Sequence, residues 1–205
     1  KLHHLIQNFL FYTNLECAIA DPSQLFALQQ QRVVYPSNVI GDAALQAAHR
    51  AERQADLRLD LKDVILPMAE LHLQKLVAEL VDNAFQYSEP GTPVSVSSQI
   101  ETLAEGLLYT LTISDRGRGM TSEQITNLTA DLLHPPSPLE VKGYASTKPG
   151  LGWAIAQRLT TLHHGKLAIH SVPKQYTTVQ IRFPILAIVL PAPSESPSDA
   201  LSAAL

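Results

Sequence analysis

A single cysteine, Cys17, is all the 205-residue sequence offers, which excludes an internal disulfide framework and any multi-cysteine metal centre. Charge is also scarce: Asp, Glu, Lys and Arg make up 17% of residues, where globular chains carry roughly 25%. Neither sign dominates, with 15 Lys+Arg against 19 Asp+Glu and a net charge of −4. A pI near 6.0 argues against electrostatic binding to nucleic acid or to an anionic membrane. The longest clean apolar run, Ile185 to Leu190, is far too short to span a bilayer. No basic stretch followed by an apolar one opens the chain, so no signal peptide is read there. The pattern GxxxxGK[ST] is missing, which excludes a Walker-type nucleotide site, and no internal repeat is visible. The first residue is Lys1, not Met, so the expectation is a piece of a longer protein with some function upstream. What is present is 45% apolar residues, enough for one domain-sized core and too many for bulk disorder.

The apolar pattern divides the chain. Leu2, Leu5, Phe9 and Tyr12 follow a helical spacing that predicts a helix from Leu2 to about Ala20, ended by Asp21-Pro22. Residues 21–31 are polar and Gln-rich and read as a connector. A short strand is expected at Arg32 to Pro36, then a helix capped by Ser37 or Asn38 and running to about Gln54. Strand-like alternation follows at Leu57 to Leu61. A second helix from Glu70 to Tyr87 carries Leu73, Leu76, Val77, Leu80 and Ala84 on one face. Val94–Ile100 and Leu107–Ser114 read as a hairpin, and Lys166–Val172 and Thr177–Phe183 as a closing pair of strands. Between them lie a proline-rich loop at Leu133 to Pro149 and a helix at Trp153 to His164. Residues beyond Pro191 read as a disordered tail. Helices interleaved with hairpins make this an α+β two-layer sandwich.

Three segments carry chemistry. Glu79 and Asn83, four apart in ELVDNAFQYS, share a helix face, with Asp82 close by. They are either the solvated side of that helix or polar groups facing a ligand, and an Asn oxygen suits Mg²⁺. Asp115-Arg116-Gly117-Arg118-Gly119 directly follows a strand: it is a tight turn, or a place where a ligand approaches main chain and an Asp accepts from an exocyclic amine. Gly150-Leu151-Gly152 opens a helix, where backbone N–H groups and the helix dipole can face phosphates. Trp153 reads as a core or lid anchor, Cys17 as a small packing residue, and His163 and His164 as helix-end residues answering the C-terminal dipole.

Taken together and in this order, the segments resemble the ATP-binding domain of the histidine kinase and GHKL ATPase superfamily. ELVDNA resembles its N box, DRGRGM its first glycine box and GLGWAI its second, while LHHGKLAI and TTVQIRFP resemble its helix-end segment and closing strand. The resemblance covers Arg32 to Pro184 and implies a Bergerat-type mixed sheet covered by helices at residues 32–184, with a strand end and tail at 185–205. LHHLIQNFLFYTNLE resembles the second helix of the family's dimerisation and phosphotransfer hairpin, at residues 1–20. His3 and His4 lack the acid and proline that follow the family's phosphoacceptor, so the acceptor is expected upstream.

The resemblance implies roles. Asp115 would bond the adenine N6, above a floor shaped by Gly117 and Gly119 and beside Thr178. Asn83 would hold Mg²⁺ against the phosphates, and Tyr87 would touch the nucleotide. Gly150, Leu151 and Gly152 would wrap the triphosphate, and Glu79 would orient the attacking group as general base. Gln86 stands where the family often has a base, and Lys148 where it has a glycine. The lid's only aromatic is Tyr144, and Lys148 or Lys142 would replace the missing cation. The implied protein is the ATP- and Mg-dependent catalytic region of a cytoplasmic bacterial sensor histidine kinase, phosphorylating a response regulator and dimerising through its N-terminal helix. A degenerate nucleotide-sensing module without phosphotransfer is the alternative, and a water-attacking GHKL ATPase a third possibility.

Overall fold

The computed structural model describes residues 2–104, 106–130 and 150–186. The expected lid at 133–149, with Lys142, Tyr144 and Lys148, lies outside the described residues, as does the expected tail beyond 191.

Helix α1 spans Leu2–Ala20, as the apolar spacing predicts, but the residues it buries are Asn8, Tyr12 and Leu15. Leu2, Leu5, Ile6, Phe9 and Leu10 stay exposed, so of the stripe read from sequence only Tyr12 is turned into the domain. The expected connector is a helix, α2 (Pro22–Gln30). Asp21, read as a terminator, is its N-cap: one carboxylate oxygen accepts from the amides of Ser23 and Gln24, and Pro22 fits the first turn because it has no N–H to satisfy. The strand expected at 32–36 shrinks to a single bridge between Val33 and Leu66. Helix α3 (Pro36–Arg50) has no cap of its own. Its start is held from 26 residues away by Asp63, whose carboxylate accepts from the Ser37 amide at 2.9 Å and its hydroxyl at 2.8 Å.

A single-turn 3₁₀ helix (Gln54–Asp56) leads into strand β1 (Leu57–Asp60), and helix α4 occupies Glu70–Tyr87, the span read from sequence. The remaining elements are β2 (Val94–Leu103), β3 (Gly106–Asp115), α5 (Ser122–Ala130), α6 (Leu151–Leu162), β4 (Lys166–Val172) and β5 (Tyr176–Leu186). The five strands form one sheet in the order β1-β2-β3-β5-β4. Only β1–β2 is parallel; the other pairs are antiparallel. The sheet is therefore mixed, and the fold is α+β.

The core lies between one sheet face and helices α3, α4 and α6. Alternation sends Tyr109, Leu111 and Ile113 of β3, with their β5 partners Phe183, Ile181 and Val179, into that core. Helix α4 is its spine: Leu73, Leu76, Val77, Leu80, Val81 and Ala84 are all buried along it. This fixes the rotation of α4 and turns Lys75, Glu79, Asn83 and Tyr87, spaced by four, along a neighbouring stripe.

Candidate functional site

At the C-terminal end of α4, two segments meet. Asp115 is the last residue of β3 and only 7% exposed. Its Oδ1 has no hydrogen-bond partner among the described residues. Burial pushes its carboxyl up to about 6, against weaker pulls from the Gly117 amide and the Arg53 charge. An unpartnered buried acceptor is costly, and it suits a ligand that brings an N–H donor.

The glycine loop after Asp115 is clamped on both sides. Gly117 forms a bridge with Ser88, and a side chain there would overlap the Tyr87 carbonyl and the Asp115 carboxylate. The Arg118 amide donates to the Tyr87 carbonyl at 3.0 Å, and its guanidinium lies 4.0 Å over the Tyr87 ring. On the other side Gly119, at φ 61°, packs where a side chain would overlap the Val172 carbonyl. The Lys174 amide donates to the Arg118 carbonyl, and the Met120 amide to Ser171 Oγ at 2.8 Å.

Thr178 is not brought to this site. It pairs with Ser114, its hydroxyl 2.8 Å from the Ser114 hydroxyl, while Asp115 pairs with Thr177. Because side chains alternate across a strand, Thr178 lies on the sheet face opposite Asp115, and Thr177 shares its face. Thr177 Oγ1 is 3.0 Å from Ser171 Oγ, the group that holds Met120. The buried Val179, Ile181 and Phe183 carry a signal that identifies Thr177, since odd positions face inward along this strand.

One turn back along α4, Asn83 is half-buried. Among the described residues no group of three His, Cys, Asp or Glu side chains could hold a metal ion. A Mg²⁺ here would rest on Asn83 Oδ1 with phosphate and water oxygens, a donor set that a hard, water-retaining cation accepts. Asp82 turns away and pairs with Arg50 at 2.9 Å.

A further turn back, Glu79 is buried, its Oε1 ion-paired but accepting no hydrogen bond among the described residues. Lys75 Nζ lies 2.7 Å from its Oε1, and Asn8 of α1 donates to its Oε2 at 2.8 Å. Lys75 also donates to Asn8 Oδ1 at 2.6 Å, closing a three-membered ring across α1 and α4. His4 Nε2 adds a contact to Glu79 at 3.4 Å. Gly152, at the start of α6, packs so closely on Glu79 that a side chain would overlap its carboxylate, whereas a Cβ at Gly150 would meet nothing within 4 Å among the described residues. Among the described residues no side chain caps the first turn of helix α6, where the opening amides could face an anion. The stripe of α4 that carries Glu79, Asn83 and Tyr87 is thus met at two points, by Gly117 beside Asp115 at Tyr87 and by Gly152 at Glu79, while Gly119 packs on Val172 and Gly150 and Leu151 only adjoin Gly152 in sequence.

Two other expectations change. His163 does not answer a helix dipole: it is buried, its Nε2 is 2.9 Å from His72 Nδ1, and burial lowers its pKa to about 4. His72 is lowered for the same reason. Trp153 is buried as expected, with its indole N–H on the Leu128 carbonyl at 3.3 Å, but Cys17 is exposed.

Comparison with known proteins gives a consistent result. Residues 68–187 match the family described as histidine kinase-, DNA gyrase B-, and HSP90-like ATPase. The chain is 30% identical over 152 residues to the Non-motile and phage-resistance protein of Caulobacter vibrioides, covering 72% of this chain and 18% of that one. It is 31% identical over 139 residues to Sensor protein QseC of Salmonella typhi, covering 66% and 28% respectively. The Histidine protein kinase DivJ of Caulobacter vibrioides is 29% identical over 165 residues, 75% of this chain and 26% of that protein. The chain therefore spans under a third of the curated relatives it matches. In fold it resembles the mycobacterial sensor histidine kinase MprB, with a TM-score of 0.57 at 20% identity over 76% of this chain and 97% of that one. It also resembles the Acinetobacter baumannii histidine kinase AdeS, with a TM-score of 0.60 at 21% identity over 89% and 78%.

Proposed function

The chain belongs to the histidine kinase-, DNA gyrase B-, and HSP90-like ATPase family, and from that premise we propose that it is the catalytic region of a bacterial two-component sensor histidine kinase. It binds Mg-ATP and passes the γ-phosphoryl group to a histidine outside this chain, and from there to an aspartate of a response regulator in the cytoplasm. The reading is carried by the convergence of three separated segments on one stripe of helix α4.

In this reading Asp115 Oδ1 accepts from the exocyclic amine of adenine, with Tyr87, Gly117 and Gly119 shaping the pocket. Thr177 takes the place first given to Thr178. The opening amides of α6 face the phosphates, and Asn83 holds Mg²⁺, which when bound neutralises phosphate charge. Glu79 orients the attacking imidazole and takes its proton as the N–P bond forms and the bond to the β-phosphate oxygen breaks. Lys148 remains the proposed lid cation. The apolar face of α1, left open by the domain, is the proposed dimer face.

One observation favours a second reading. Glu79 is held by the Lys75 charge and by Asn8 of α1, which in this arrangement tie it to its own chain, and this supports a nucleotide-sensing module without phosphotransfer. Incubating the intact protein with γ-labelled ATP separates the two. The kinase reading expects acid-labile, base-stable label, lowered about a hundredfold by Glu79→Gln with ATP affinity retained. Binding of ATP without any label selects the second reading, and no binding of ATP refutes both.

A further inference from the structure

Helix α3 ends in a left-handed turn. Glu52 has φ 57°, its amide donates to the His49 carbonyl at 3.0 Å, and the Arg53 amide donates to the Ala48 carbonyl at 2.8 Å. This paired closure fixes the Arg53 backbone and aims its side chain at the C-terminal end of α4. The Arg53 guanidinium is buried there among carbonyl oxygens. Nη1 donates to Phe85 O at 3.1 Å, Ser88 O at 2.9 Å and Ser88 Oγ at 3.0 Å. Nη2 donates to Glu89 O at 2.7 Å and Thr92 O at 3.0 Å, and Nε to Asp56 Oδ2 at 2.7 Å. Asp56 in turn accepts from the Gly91 amide at 3.0 Å.

These acceptors are the last carbonyls of a helix and of the turn after it, groups that have no intrahelical partner. A planar guanidinium serves several at once because its five donors are fixed in a fork, whereas an ammonium carries three on a mobile stem. The whole segment 85–92 is thereby folded around one side chain.

That segment is the wall on which the glycine loop rests. Ser88, bonded twice to Arg53, forms the bridge to Gly117, and the Tyr87 carbonyl next to it accepts from the Arg118 amide. Gly117 has no spare room against Tyr87 and Asp115, so a displacement of Tyr87–Ser88 passes into the loop instead of being absorbed. We infer that Arg53 is a positioning residue for recognition of the base: by gathering the carbonyls of residues 85–92 it sets the place of the glycine loop, and with it the aim of the Asp115 carboxylate. This rests on the nucleotide reading above. The Arg53 side chain touches neither the glycine loop itself nor Asn83, Glu79 and Gly152, so its effect is confined to the base end.

The test is calorimetric titration of the whole chain with Mg-ATP, Mg-ADP and Mg-GTP, together with deuterium exchange of residues 115–119 and 150–155. Arg53→Lys keeps the charge and loses the fork, and Asp56→Ala frees the Nε end. Arg53→Lys is expected to weaken Mg-ATP about tenfold, as for two lost hydrogen bonds. Mg-GTP should change less than twofold, because guanine presents an acceptor to Asp115 and gains nothing from its aim. The ratio of ATP to ADP affinity stays as in the wild type, and exchange rises at 115–119 but not at 150–155. Asp56→Ala gives the same pattern at smaller size. Equal weakening of ATP and GTP, or a loss of bound fraction with base preference intact, makes Arg53 a stability residue only and overturns the inference. A wild-type chain that binds no adenine nucleotide overturns the nucleotide reading itself, whatever Arg53 does.

Discussion

The two buried carboxylates of the described residues, Asp115 at the end of β3 and Glu79 on helix α4, lie at different heights along α4 and are treated differently. Asp115, at the C-terminal end, is enclosed by elements of the ATPase domain, yet keeps one oxygen without a partner. Glu79, two turns lower, is just as buried, but a lysine and an asparagine hold it, and the asparagine comes from the N-terminal helix. A buried acceptor left open where everything around it is fixed marks a place prepared for a ligand. A buried acceptor satisfied by a separate helix marks a contact that must change before the group can act. In the proposed nucleotide reading, the base end of the site is therefore preformed, while the phosphate end depends on where α1 lies.

The harshest way to break this comparison is to add one methyl group at the base end. Gly117→Ala puts a Cβ onto the Tyr87 carbonyl and the Asp115 carboxylate, neither of which can step aside. The expected cost is about 3 kcal/mol of stability, measured by urea denaturation, together with loss of nucleotide binding. Gly150→Ala, with nothing within 4 Å of the added group among the described residues, should stay within about 0.5 kcal/mol. Similar losses for the two variants would mean that the base end is no more tightly built than the phosphate end.

The next effect is a change of slope with pH. Burial pushes the Asp115 carboxyl from its ordinary 3.8 up to about 6, so between those values the folded state holds the proton and the unfolded state has lost it. Stability therefore falls as pH rises through that window, and above 6 the full cost, on the order of 3 kcal/mol, is present. Asp115→Asn should raise stability at pH 8 by up to that amount while weakening ATP binding, since the amide loses the carboxylate's pure acceptor character. His163, at the junction of α4 and α6 and facing His72, runs the other way. Its folded value of about 4 lies below 6.5, so stability is full above 6.5 and is lost as pH falls towards 4. In the wild type the two slopes oppose each other between about 4 and 6. In Asp115→Asn the histidine slope stands alone, and stability should climb steadily from pH 4.5 to 6.5. An unchanged slope in that variant would mean that Asp115 has an ordinary carboxyl and is not an open, buried acceptor.

The sequence makes some of this comparison visible and hides the rest for definite reasons. Helix α4 and its polar stripe are legible because a buried helix writes its period into Leu73, Leu76, Val77 and Leu80. Asp115 and its glycines are legible because a Gly-rich turn directly after a strand has few other uses. Helix α5 is not, since Ile125 and Leu128 are its only large apolar residues. Asp21-Pro22 stops one helix and starts another, and the same residue types signal both. Thr178 was placed by likeness and Thr177 by alternation, and a one-residue step changes the sheet face. Arg53 was not read: apart from Asp56 and Ser88 Oγ its partners are backbone carbonyls 32 to 39 residues away, which leave no mark on side-chain identity. Asn8 is hidden likewise, because one polar residue among apolar ones looks solvated until its helix is docked.

The smallest expected effect tests whether the two ends of α4 are independent. Asn8→Ala removes one donor to Glu79 and one acceptor from Lys75. Lys75 and Glu79 remain paired with each other, so no buried charge is stranded, and the cost should be about 1–2 kcal/mol. Helix α1 would still be held by Tyr12 and Leu15 in the core and by the Glu16–Arg158 pair at 2.6 Å. The loss should therefore show as local opening: faster amide exchange along α1 and at the start of α6, beside Glu79. Exchange at residues 115–119 should not change, because that loop is held by Arg53, Ser88 and Ser171, none of which touches α1. If exchange rose there as well, α4 would be transmitting the position of α1 to its far end, and the base site could not be called preformed.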